Sequence, residues 1–192
     1  LMLAAQARGH RVYHYTAPEL TWEDGRLYTF ATPVTVRREA GDHFTAGEPV
    51  LLDLGRDTDV VWMRQDPPFD LSYITATHLL ERINAETLVV NDPASVRNAP
   101  EKLFVLDYAR FMPPTMITRS LGAARAFLEK HGEIVIKPLH GNGGKAIFKV
   151  GRDGANLSAL IEVFNAAWVE PHMVQAFIPS VAAGDKRIVL VD

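Results

Sequence analysis

The sequence predicts an α/β protein, and three stretches carry that expectation. Residues 59–64 (DVVWMR) and 87–91 (TLVVN) are short apolar runs on either side of a helix-periodic segment. That is the pattern of a buried parallel sheet with a helical crossover. Residues 133–150 (EIVIKPLHGNGGKAIFKV) read instead as strand, glycine-rich turn, strand. Glycines let backbone N–H groups converge on an anion with no Cβ in the way. Lys137, at the end of the first of these strands, can place a cation on the same anion.

The elements follow in order. Residues 1–9 read as the last turns of a helix stopped by Gly9. Residues 11–15 (RVYHY) read as a strand, and Pro18 starts a turn. Residues 26–37 are β-rich with a break at Pro33, consistent with a hairpin, and 39–47 are polar and irregular. The strand at 59–64 runs into Gln65-Asp66-Pro67-Pro68-Phe69, a loop stiffened by two prolines. Asp70 then caps a helix with Leu71, Ile74, Leu79, Leu80 and Ile83 at helical spacing. Asp92-Pro93 begins a short turn or helix, and a second helix from Glu101 to about Arg110 is broken by Pro113 and Pro114. Ser120 caps a helix with Leu121, Ala124, Phe127 and Leu128 on one face, stopped by Gly132. Beyond the glycine turn, Asn156 caps a helix striped with Leu157, Leu160, Ile161, Phe164 and Trp168, and 172–179 read as a strand passing into a linker. The change of texture after residue 91 places a domain boundary near 95. The first helix has no start and 186–192 stop inside a strand-like run, so a piece of a longer protein is expected.

Composition bounds the function. At 192 residues the chain holds one large domain or two small ones, with 47% hydrophobic and 22% charged residues, as in globular proteins. The net charge of −3 argues against a nucleic-acid partner. No apolar run approaches the ~20 residues that span a bilayer, so no membrane partner is expected, and no basic-then-apolar leader is expected. The absence of cysteine excludes disulfides, thiol catalysis and zinc–thiolate sites. The 7 histidines are scattered without metal-ligand spacing. A cytoplasmic setting is the default.

Two familiar phosphate loops fail here. A P-loop would need glycine where Leu139 stands and serine or threonine where Ala146 follows Lys145. Gly141-x-Gly143-x-x-Ala146 fits the dinucleotide fingerprint, but that loop must open a helix and here a strand-like run follows. A glycine-rich flap between antiparallel strands remains, closing over nucleotide phosphates; an ordinary hairpin is the alternative.

Other residues are more ambiguous. Arg64 and Asp66 fall at a strand's carboxyl end, where parallel α/β sheets bind ligands. They suit a substrate's carboxylate and amine, or else a local ion pair in a capped loop. Lys102 by itself is a helix-surface lysine. Gln175, Phe177 and Ile178 suit the hinge of a nucleotide pocket, with backbone groups reading the adenine edge; without context they are simply strand. Asp185 and Arg187, flanking Lys186 after Gly184, read as a charged turn.

Taken together, these pieces resemble bacterial glutathione synthetase, a family of the ATP-grasp superfamily. The resemblance rests on residues 63–70 (MRQDPPFD), Asn91-Asp92-Pro93-x-Ser95-x-Arg97, Glu101-Lys102-Leu103, Ile136-Lys137-Pro138-Leu139-His140-Gly141-x-Gly143-Gly144 and Gly184-Asp185-Lys186-Arg187. It implies a pre-ATP-grasp parallel α/β domain (1–95, substrate side) followed by an incomplete ATP-grasp α+β domain (96–192, nucleotide side). Lys102 and Lys137 correspond to nucleotide-phosphate lysines, Gly141, Asn142, Gly143 and Gly144 to the flap, and Gln175, Phe177 and Ile178 to the adenine hinge. Arg64, Asp66, Asp185 and Arg187 lie towards the peptide substrate or the phosphates. The implied cofactors are ATP and Mg2+, the implied substrates γ-glutamylcysteine and glycine, and there is room for a homo-oligomer. His140 stands where the family more usually has aspartate, and the family's magnesium ligands fall beyond Asp192. These residues alone are therefore not expected to complete catalysis.

Overall fold

A computed structural model describes residues 1–141, 143–186 and 188–189. The expected flap residue Asn142, the cation Arg187 and most of the expected terminal strand lie outside the described residues. The chain divides into two compact units, Leu1–Ala99 and Pro100–Asp192, a few residues beyond the expected position near 95.

The first unit opens with helix α1 (Met2–Ala7), followed by Gly9 in the left-handed region at φ +83°. Strand β1 is only Tyr13–His14, and a 3-10 turn (Ala17–Glu19) leads to β2 (Thr21–Glu23). Asp24 and Gly25, both at positive φ, make the tight turn into β3, an 11-residue strand (Arg26–Val36). The expected break at Pro33 does not occur. β3 pairs antiparallel with β5 (Val50–Asp53) through residues 28–31 and with β4 (Phe44–Ala46) through 34–36. Pro33 therefore sits where β3 changes partner and no ladder donor is needed there. Its carbonyl still accepts the Gly47 N–H at 2.9 Å. The hairpin lies earlier, at Asp24-Gly25, and β4 occupies part of the stretch expected to be irregular.

The α/β expectation holds in β6 (Val60–Trp62), α2 (Leu71–Glu81) and β7 (Leu88–Val90), where β6 and β7 pair in parallel. The parallel part is this pair of strands; the unit's 5-stranded sheet is antiparallel. Val61 and Val89 are buried, whereas Val60, Trp62 and Leu88 are exposed, so these strands alternate rather than burying both faces. Asp70 caps α2 by accepting the Tyr73 N–H at 2.9 Å. Leu71 is 83% exposed, because at about 100° per residue it falls opposite Leu80. The core joins Leu27, Leu54, Val61, Met63, Leu80, Ile83 and Val89. Helix α3 (Pro93–Asn98) is capped by Asp92 on the Ser95 N–H, and Arg97 ties it to Glu81 of α2 at 2.8 Å.

The second unit begins with α4 (Glu101–Phe104), which continues as a 3-10 segment (Val105–Phe111). β8 (Thr115–Thr118) was not expected from the sequence. After it come α5 (Leu121–His131), β9 (Ile134–Pro138), β10 (Phe148–Val150), α6 (Leu157–Ala167) and β11 (His172–Ala176). The sheet order is β10-β9-β11-β8, with every pairing antiparallel. Residues of α5 and α6 form the core with Ile134, Ile136, Val150 and Val174. Asn156 occupies the N-cap of α6 but its side chain caps nothing. The other end is held by Arg119, which donates to the carbonyls of Asn165 (2.9 Å), Trp168 (2.6 Å) and Glu170 (3.1 Å). A helix's last carbonyls lack partners of their own, and Arg119 supplies them. Asn165 in turn meets His172 Nε2 at 2.9 Å.

Candidate functional site

Register decides which side chains share a face of the second unit's sheet. Ile134, Ile136, Val150 and Val174 belong to the helix-side core. Side chains alternate along a strand, and residues directly opposite in an antiparallel ladder share a face. Val135 is opposite Lys149 and Gln175, and Lys137 is opposite Met173. Lys137, Lys149 and Gln175 therefore lie on the face away from the helices. Phe177, one step past β11, continues this face, its N–H donating to the Glu133 carbonyl at 2.9 Å. Three residues singled out from the sequence, Lys137, Gln175 and Phe177, thus come together on one surface.

The glycine turn leaves the same strand. Gly143 (φ +60°) and Gly144 (φ +71°) need the left-handed region. Gly141 is required by proximity, since a Cβ there would lie 2.7 Å from Pro138 Cγ. Lys102 reaches in from α4, its side chain 13% exposed, and donates to the Gly141 carbonyl at 2.5 Å. The Lys137 pKa is lowered, first by burial and then by the Lys102 charge, with Glu101 acting in the opposite sense. Two partly desolvated ammonium groups beside a glycine turn form a cradle that a polyanion would stabilise.

The hinge residues are partly committed to the sheet. Gln175 Nε2 donates to Thr115 Oγ1 at 2.8 Å, and the Ala176 N–H donates to the Pro114 carbonyl at 3.0 Å. With the N–H groups of 176 and 177 both taken, exposed Ile178 is the first residue beyond the ladder. Asp185 is exposed after the 3-10 turn Pro179–Ala183 and Gly184. Sequence reasoning missed Lys149 and Glu133, whose in–out alternation with Ile134 and Val150 was the available signal.

In the first unit, Arg64 and Asp66 follow β6 at its carboxyl end, where the Met63 N–H extends the ladder to the Val90 carbonyl at 2.5 Å. Arg64 is near enough to Tyr73 to oppose the upward push that burial gives the phenol's pKa. Tyr73 packs on Phe69 at 5.1 Å between ring centroids. Among the described residues no three histidine or acidic side chains converge on one point. They do not by themselves fit a magnesium site. No helix among them is long and apolar enough to cross a membrane.

Solved structures share this fold. The chain aligns with D-cycloserine synthetase DcsG at TM-score 0.53 and 22% identity, covering 68% of this chain and 47% of that one. It aligns with the ATP-grasp ligase PsnB at TM-score 0.53 and 19% identity, covering 92% and 60%. The architecture is the ATP-grasp fold. The model of the prokaryotic glutathione synthetase N-terminal domain matches residues 1–97, and that of the family's ATP-grasp domain matches 101–192. The chain belongs to the prokaryotic glutathione synthetase family. Curated glutathione synthetases of Bradyrhizobium diazoefficiens and Rhodopseudomonas palustris are 54% and 52% identical over all 192 residues. The chain spans 61% of the length of each.

Proposed function

We propose that the protein carrying this chain is an ATP-dependent ligase joining γ-glutamylcysteine to glycine, with glutathione, ADP and phosphate as products. The observation that carries this reading is the convergence of Lys102, Lys137 and the glycine turn in a chain of this family. In it, Lys102 and Lys137 neutralise the nucleotide phosphates and residues 141–144 close over them. Gln175, Phe177 and Ile178 flank the adenine, with the Ile178 backbone placed to read its edge. Asp185 serves the nucleotide side and Arg187 joins Lys137 as a catalytic cation, while Arg64 and Asp66 hold the peptide. Residues 1–95 thus form the substrate side and 96–192 the nucleotide side. Magnesium would draw its ligands from beyond Asp192. The expected setting is the cytoplasm, with small molecules as partners.

In the proposed reaction a carboxylate oxygen of γ-glutamylcysteine attacks the γ-phosphorus and the bond to ADP breaks. The glycine amine then attacks the acyl carbon, loses a proton and expels phosphate. Positioning and charge neutralisation supply the catalysis, and the flap keeps water from the acyl phosphate. No protein nucleophile is needed, and none is evident in the sequence. The test incubates the full-length protein with MgATP, γ-glutamylcysteine and glycine, each omitted in turn, following ADP and product mass. Glutathione formed only with all three supports the proposal. Turnover that prefers another acid–amine pair, or ATP binding without turnover, overturns it.

A further inference from the structure

We infer that Lys149, held by Glu133, is a positioning residue that fixes the Phe177 ring as one wall of the nucleotide-base pocket. This rests on the nucleotide reading above and adds Lys149 and Glu133, which that reading leaves unused. Lys149 lies on β10 and Phe177 just past β11, with β9 between them. The Lys149 side chain crosses that strand to place Nζ 4.0 Å from the centroid of the Phe177 ring. The same ammonium lies 2.7 Å from Glu133 Oε1. Glu133 also accepts the Phe177 N–H through its carbonyl at 2.9 Å. One residue therefore anchors both the backbone of Phe177 and the cation that covers its ring.

A partly exposed lysine on an edge strand ordinarily keeps its rotamer freedom in water. Here an ion pair and a cation–π contact hold it, both on the face that carries Lys137 and Gln175. With one ring face occupied by the ammonium, an arriving base meets the other face or the edge of a ring already set in place. Pre-setting an aromatic wall removes an ordering cost from binding. It acts on the base and leaves the phosphates untouched.

That distinction supplies the test. In the full-length protein, binding of ATP and of inorganic tripolyphosphate, which has no base, is measured by calorimetry for wild type, Lys149→Met, Lys149→Arg, Phe177→Leu and the Lys149→Met/Phe177→Leu double variant. Lys149→Met is expected to weaken ATP binding about three- to tenfold, the range of a partly desolvated cation–π contact, and to leave tripolyphosphate binding unchanged. Lys149→Arg restores ATP binding, and in the Phe177→Leu background Lys149→Met has no further effect. Unchanged ATP binding in Lys149→Met, equal loss for both ligands, or an undiminished loss without Phe177 would overturn the inference alone. Wild type that binds no ATP would overturn it together with the nucleotide reading.

Discussion

Lys102 is the residue whose role the structure changes most, and Lys102→Met is the perturbation that measures it. On a helix surface a lysine is worth almost nothing to its surroundings. Here its side chain is largely buried and its ammonium donates at 2.5 Å to the carbonyl of Gly141, the first glycine of the turn. A hydrogen bond to a charged group contributes about 1.5–3 kcal/mol, so its loss should raise local opening of the turn by roughly 10- to 100-fold. Methionine keeps most of the stem's volume, which confines the change to the ammonium. Amide hydrogen exchange at residues 143–145 reads the opening directly and is expected to accelerate by that factor, with exchange in β9 unchanged. Removing the charge also removes one of the two influences that lower the Lys137 pKa, which should rise. ATP binding should weaken at least about tenfold, as one of the two proposed phosphate cations is lost. Unaltered exchange in the turn together with unaltered ATP affinity would return Lys102 to the status of a surface lysine and refute the reasoning.

Other predictions concern the scaffold of the same unit. Arg119→Ala strands three carbonyls around the end of α6; it should cost about 3 kcal/mol after partial rehydration and lower this unit's Tm by roughly 10–20 °C, and a loss below about 0.5 kcal/mol in urea unfolding would contradict the clamp. Burial, and then Arg119, push the His172 pKa down, so the unfolded chain takes up this proton first. Its contribution is then fully present above about pH 6.5 and is lost as pH falls through that value towards the folded pKa. His172→Gln should flatten the fall in stability between about pH 7.5 and 5, and an unchanged slope would show that another group titrates. Gly154→Ala places a Cβ 2.8 Å from Leu128 Cδ2 at φ +62°; it should destabilise by about 1–3 kcal/mol, more than Gly9→Ala, which meets open space.

Where apolar spacing was long or capping chemistry sharp, the sequence was readable. Asp70 and Ser120 cap the helices expected of them, whereas the side chain of Asn156 does not, and strands flank the glycines as read, the second starting at Phe148 rather than Ala146. What escaped was short or set by tertiary partners. β8 is four residues that pair on one side with β11, too short a run to carry a period of its own. Pro33 signals a break in isolation, yet a strand that exchanges one neighbour for another accommodates it. The apolar runs at 59–64 and 87–91 gave no sign that Trp62 and Leu88 would be exposed. Of the site, Lys137 and the glycines were legible from chemistry, because a lysine beside a glycine turn needs a partner. Lys102 was legible only through the resemblance, since its approach to Gly141 spans 39 positions of sequence. Lys149 had no local signal beyond strand alternation.

The central claim is that a carboxylate of the dipeptide is activated by phosphorylation before the amine attacks. It is tested most directly by supplying the full-length protein with MgATP, glycine and γ-glutamylcysteine labelled with 18O in its cysteinyl carboxylate, then weighing the phosphate released. The account predicts one labelled oxygen carried from the carboxylate into each phosphate, with the other retained in the cysteinyl–glycine amide carbonyl of glutathione. Phosphate free of label, alongside full glutathione formation, would contradict it.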